Sequence, residues 1–163
     1  RMCNFADCAG PYVLQLYGFD FYLNFGAISN STVTFYRLTG NDNFWGNVIN
    51  LNGSTLKRMF SFDGSYGQIH DNYLSGYNLL DVQSSVRYGW RFQNNFLYGA
   101  MSGVHTWVHS RGTILGNYIY SPNSVAFVLS AASSKNVMLG NWCSVTPLDY
   151  GTANIMDHNV VGT

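Results

Sequence analysis

Ser110-Arg-Gly-Thr-Ile114-Leu-Gly-Asn117-Tyr-Ile119 is the stretch whose reading decides the fold. The same frame returns as Ser65-Tyr-Gly-Gln-Ile69-His-Asp-Asn72-Tyr-Leu74 and as Ser134-Lys-Asn-Val-Met138-Leu-Gly-Asn141-Trp-Cys143. Shorter copies surround Asn47, Asn95 and Asn159. Asn24, with Phe21 three residues before it, and Asn4 extend the series toward the N-terminus. Successive repeat asparagines from 47 to 159 are 25, 23, 22, 24 and 18 residues apart. Three residues before each stands Phe44, Ile69, Phe92, Ile114, Met138 or Met156; two after it stands Ile49, Leu74, Leu97, Ile119, Cys143 or Val161. In an uninterrupted strand, positions five apart face opposite ways. One residue in the left-handed conformation restores a shared inward face, and Asn tolerates that conformation best among non-glycine residues. The spacing therefore predicts that each Asn is the left-handed corner between two short, inward-pointing strands.

A corner every ~23 residues with short strands between describes a coil of three strands per turn. Stacked coils pair in parallel at about 4.8 Å per rung, so six to eight rungs make a rod about 30–40 Å long. Asparagines stacked at one corner can bond along the rod as a ladder. Longer strands are expected at Val33–Leu38, Leu56–Phe62, Leu79–Gln83, Val104–His109 and Val125–Leu129. Composition agrees. Of 163 residues, 47% are hydrophobic, 17% aromatic and only 10% charged. All eight acids are Asp, which leaves no Glu, and Gly numbers 17. This profile disfavours helices and suits strands joined by turns. Eight acids balance eight Lys and Arg, so the sequence has no basic footprint for nucleic acid. No apolar run reaches the ~18 residues of a membrane span. Three cysteines, Cys3, Cys8 and Cys143, show no metal-ligand spacing; a Cys3–Cys8 bridge stays open beside buried or free thiols.

With these repeats the chain resembles the right-handed parallel β-helix family, which includes pectate-lyase-like enzymes and phage tailspikes. The likeness covers residues 21–163 and rests on apolar-x-x-Asn-x-apolar at rung spacing. It implies an all-β solenoid of six to eight rungs, with residues 1–163 a single domain and a segment of a longer rod. The abundance of Tyr (12) and Phe (11) resembles a tailspike more than a pectinase. The family's fold hosts lyases, hydrolases, epimerases and non-catalytic fibres, so function has to be argued from a site.

In β-helix enzymes the longest strands and their turns form the substrate groove, and that resemblance directs attention to Val104–His109. Alternation there predicts Val104, Thr106 and Val108 inside, with His105, Trp107 and His109 outside. On neighbouring rungs Asp63, Asp81 and Gln83 are expected outside, with Arg58 near them. Acids one rung apart lie about 5 Å from each other, and two rungs apart about 10 Å. These are near the separations used by retaining and inverting glycosidases. Asp63 and Asp81 are therefore the catalytic candidates, and Trp107, His105, His109, Gln83 and Arg58 the sugar-binding ones. Simpler roles stand beside these. Asp63 precedes Gly64 and suits a turn, His105 and His109 suit an exposed strand, and Trp107 suits packing against a second subunit. His105 and His109 are ~13 Å apart along a strand, too far for one metal ion, so no metal or cofactor is expected. Lyase chemistry would call on Arg58, Arg87 or Arg91 to neutralise a uronate.

The expected function is recognition, with cleavage as one form of it, of capsule or O-antigen polysaccharide by an extracellular segment of a virion tail. The other class is a non-catalytic structural or adhesive rod. Expected partners, by resemblance, are two further copies in a parallel trimer or additional rungs. The residues just after the corners, Tyr73, Tyr118, Tyr120 and Trp142, are available to such an interface.

Overall fold

The computed structural model describes residues 2–6, 12–16, 20–22, 25–29, 34–38, 41–50, 60–62, 64–76, 87–99, 105–107, 109–120 and 127–162. It is an all-β parallel solenoid, and no helix occurs among the described residues. The first wall is an eight-stranded sheet built from Met2–Ala6, Phe25–Ser29, Val48–Asn50, Tyr73–Gly76, Phe96–Gly99, Tyr118–Tyr120, Trp142–Cys143 and Val160–Val161. The second has seven strands: Asp20–Tyr22, Asn43–Trp45, Gln68–His70, Arg91–Gln93, Thr113–Leu115, Val137–Leu139 and Ile155–Asp157. The third wall comes in two blocks of three. One is Tyr12–Leu16, Thr34–Leu38 and Phe60–Phe62; the other is His105–Trp107, Phe127–Leu129 and Leu148–Asp149. All pairings between these strands are parallel. Turns walled on three sides thus come in runs of about three among the described residues, not in the unbroken six to eight expected.

The apolar positions flanking Asn47, Asn72, Asn95, Asn117 and Asn141 face inward as expected, whereas at Asn159 Met156 is half-buried and Val161 is exposed. Phe44, Ile49, Ile69, Leu74, Phe92, Leu97, Ile114, Ile119, Met138 and Cys143 are all buried in one column-like core. Phe60, Phe127 and Leu129 close it from the third wall. Each contributes on the order of 2 kcal/mol by leaving water. Burial also pushes the Cys143 thiol up to about 11, so it packs as a small hydrophobe. Cys3 lies in the first strand, while Cys8 is outside the described residues.

The corner chemistry differs from expectation in one respect. The left-handed residue is not the repeat Asn but the one before it: Gly46, Asp71, Asn94, Gly116, Gly140 and His158, with φ between 51° and 64°. This frees the Asn side chain to turn inward. Asn95 Oδ1 accepts from the backbone N and Nδ2 of Asn72, and Asn95 Nδ2 donates to Asn117 Oδ1 and to the Ile69 carbonyl. The pattern repeats from Asn47 to Asn159. Two acceptor and two donor sites are thereby satisfied on a buried amide, which a core position demands. Asn4 is out of phase, because it pairs with Ala27, three residues beyond the corner. Asn24 lies outside the described residues, though the next residue, Phe25, pairs with Val48, which follows Asn47.

A second corner lies five residues earlier in each rung. Its left-handed residues are Asn41, Tyr66, Gly89, Arg111, Lys135 and Ala153, each six before a ladder Asn. The column just inside holds Asp42, Gly67, Trp90, Gly112, Asn136 and Asn154. Asn136 and Asn154 repeat the ladder bonding there. Trp90 is fully buried above Gly67, where a Cβ would sit 2.1 Å from its ring.

Candidate functional site

The third wall was expected to carry the site, and the structure corrects its phase. Trp107 is 1% exposed and His109 equally buried. His105 pairs with Phe127 and Trp107 with Leu129, and both partners are core residues. The alternation was read correctly but one residue out of step, and in a strand that flips every side chain. The reason is Gly112. Its missing Cβ, which would lie 2.9 Å from Trp107 Cζ2, leaves room for the indole inside. The indole Nε1–H then donates to Asn136 Oδ1 at 3.3 Å, and the ring meets Phe92 edge-on. His109 packs edge-on against Trp107 with ring centres 5.0 Å apart. Burial, and secondarily the Arg87 charge, lower its pKa to about 3 and keep it neutral. Trp107 and His109 are therefore core residues and not part of an outer sugar-binding stripe.

The other candidates lie elsewhere. Asp63, Asp81, Gln83 and Arg58 are outside the described residues. His105 is placed by register, opposite Phe127. Asp71 occupies a left-handed corner position and holds His70 Nδ1 at 2.7 Å. Asp149 Oδ1 accepts from Gly151 N and Asn154 Nδ2, which makes it a turn residue. No group of three metal-ligating side chains occurs among the described residues. A shallow cavity of about 210 Å³ opens between Thr146, Pro147, Met156 and His158.

What the structure does place on one outer surface is an aromatic ladder on the first wall. Tyr73, Phe96, Tyr118 and Trp142 each follow a ladder Asn and stand in register on adjacent strands. Their rings are parallel within 9°, at centroid distances of 4.9, 4.4 and 4.2 Å. Two residues along, Tyr98 stacks on Tyr120 at 4.9 Å and 6°. The strand repeat imposes this distance, because rungs about 4.8 Å apart bring identical positions to ring-stacking range. Stacking consumes the ring faces, so the surface presents ring edges and tyrosine hydroxyls. Gly162 lies against the Trp142 ring, 2.1 Å from where its Cβ would be, and so covers the end of the stack. Tyr73 and Tyr98 remain more than 40% exposed. Tyr73, Tyr118, Tyr120 and Trp142 were expected only as interface aromatics and Phe96 and Tyr98 in no role, although the stacking is legible in their shared +1 and +3 spacings from each Asn.

No protein-family model, curated protein or solved structure matches the chain. Among the described residues no helix is long and apolar enough to cross a membrane.

Proposed function

We propose that this chain is an extracellular adhesive rod, a segment of a phage tailspike-like β-helix, that recognises a bacterial surface polysaccharide along its first wall. The observation that carries this reading is the stacked outer column of Tyr73, Phe96, Tyr118 and Trp142 beside Tyr98 and Tyr120. Large aromatics are expensive to leave in water unless a partner covers them. Tyrosine edges combine C–H and ring contact with hydroxyls that exchange hydrogen bonds with sugar hydroxyls. A regular rung spacing suits a repeating polymer better than a single small molecule. The rod serves adhesion as the non-catalytic reading of this fold does, and the parallel trimer belongs to the same proposal.

The test is an array of capsule and O-antigen polysaccharides probed with the whole chain and with a Tyr98→Ser/Tyr120→Ser variant. Retention of at least one glycan by the parent, weakened about tenfold in the variant, is the expected result. Binding to no member of a broad array sinks the proposal. Accumulation of reducing ends or of unsaturated ends absorbing in the ultraviolet would replace adhesion by depolymerisation, and would return Asp63 and Asp81 to the centre of attention.

A further inference from the structure

The two corners of each rung are built from the same backbone but different side chains. At the ladder corner the left-handed positions hold Gly46, Asp71, Asn94, Gly116, Gly140 and His158, the residue types that accept positive φ most readily. At the other corner three of the six are Tyr66, Arg111 and Lys135, with φ of 67°, 54° and 56°. Each of the three donates its backbone N–H to a carbonyl of the adjacent rung, and all three side chains are exposed. Residues held in disfavoured backbone regions mark places where side-chain direction matters more than local comfort.

Their surroundings agree on a chemistry. Lys135 and Arg111 follow one another on adjacent rungs, and Arg91 stands exposed two residues past Gly89, one rung below Arg111. Three cations thus span two rung steps, about 10 Å. Among the described residues none of the three forms an ion pair. Arg111 lies over the exposed ring of Tyr88 at 5.6 Å. Tyr66, 67% exposed, leans over Gly89, whose Cβ would fall 2.5 Å from Tyr66 Cδ1; glycine there makes room for the ring. Four of the described aspartates are spent elsewhere. Asp42 is buried inside this corner, Asp71 and Asp157 belong to the ladder corner, and Asp149 is engaged by Gly151 and Asn154. Stacking like charges at rung spacing is unfavourable by itself and is relieved by an anion laid across them.

We infer that Arg91, Arg111 and Lys135, flanked by Tyr66 and Tyr88, form a second binding site for a carboxylate-bearing polysaccharide lying along the corner. The cations take the acid groups, and the exposed tyrosine rings take the C–H faces of the sugars. The chain has zero net charge and only three cations here, which favours a sparsely charged glycan over the dense phosphates of nucleic acid. The site goes beyond the first-wall reading and shares with it only a polymeric glycan as ligand.

Affinity electrophoresis of the whole chain tests it, with hyaluronan and alginate as carboxylated probes, their methyl esters and dextran as neutral ones, and duplex DNA as a competitor. Both acids should retard the protein, and esterification should abolish the effect. Arg111→Gln/Lys135→Gln should weaken binding about tenfold and make what remains less sensitive to salt. Tyr98→Ser/Tyr120→Ser should leave this binding unchanged, which separates failure here from failure of the first-wall site. Indifference to both acids, equal binding of acid and ester, or an unchanged double variant overturns the inference. Tighter binding of DNA at equal salt overturns it in favour of a nucleic-acid surface.

Discussion

Asn95 Oδ1 takes two hydrogen bonds from one residue below it, the backbone N–H of Asn72 at 3.1 Å and its Nδ2 at 2.8 Å. One oxygen therefore ties side chain and backbone of the adjacent rung together. Both asparagines are buried, so removing the amide leaves two donors of Asn72 without this acceptor and out of reach of water. Asn95→Ala is expected to cost about 2–4 kcal/mol, read as a lowered urea midpoint with little change in slope. Asn159, half-buried at the last rung, should cost clearly less. Equal losses at the two positions would contradict a cooperative ladder.

Gly116 and Gly140 occupy equivalent corners at φ 61° and 62° but have different neighbours. A Cβ at Gly140 meets nothing within 4 Å, whereas one at Gly116 lies 2.8 Å from Asn94 Oδ1. Gly140→Ala therefore carries only the left-handed penalty, about 1 kcal/mol. Gly116→Ala carries that plus displacement of the Asn94 side chain. Thermal unfolding should show Gly116→Ala the more destabilised of the two, and the reverse ranking would mean that the contact with Asn94 is not what separates them.

The solenoid was legible because one short motif repeats with a fixed phase, and Asn, unlike Leu or Val, is rarely placed repeatedly at the same buried position by chance. The division of labour at the corner was not legible. Asn and Gly share a tolerance for positive φ, so residue type could not say whether Asn47 or Gly46 turns the chain. The second ladder of Asn136 and Asn154 did leave a signal, because each lies five residues before a repeat Asn. It was missed because Gly67, Trp90 and Gly112 occupy the same column on other rungs. The candidate site fared worst at Trp107. Its phase depends on Gly112, a space left by another segment, and strand alternation carries no record of that. Where a wall combines apolar residues of both parities, as Val104-His-Thr-Trp107-Val does, only the facing rung decides which set is inside.

Trp107 offers a direct check on that phase. It is buried, bonded to Asn136 and packed on Phe92. Trp107→Ala is expected to destabilise by about 3–5 kcal/mol, the usual cost of emptying a buried aromatic site. Trp107→Phe should recover most of this and lose only the Nε1 bond. Under conditions where Trp107→Phe is folded, its glycan affinity should equal that of the parent. A stable Trp107→Ala that has lost only glycan binding would put the indole back on the outer face.

His109 makes stability depend on pH. Buried, with Arg87 as the secondary influence, its imidazole has a pKa lowered from 6.5 to about 3 in the folded chain. Between those values the unfolded chain binds a proton that the folded chain does not, so stability rises with pH across the window. The contribution is fully present above pH 6.5 and is lost as pH falls toward 3, by on the order of 3–5 kcal/mol at the lower end. The aspartates also titrate in that range, so the His109 share is isolated by comparison with His109→Gln, which cannot take up the proton. Urea midpoints at pH 7 and pH 4 should converge for parent and variant as the pH falls, because only the parent loses the imidazole contribution. Parallel acid limbs for the two proteins would show that His109 is not the neutral, water-excluded imidazole described above.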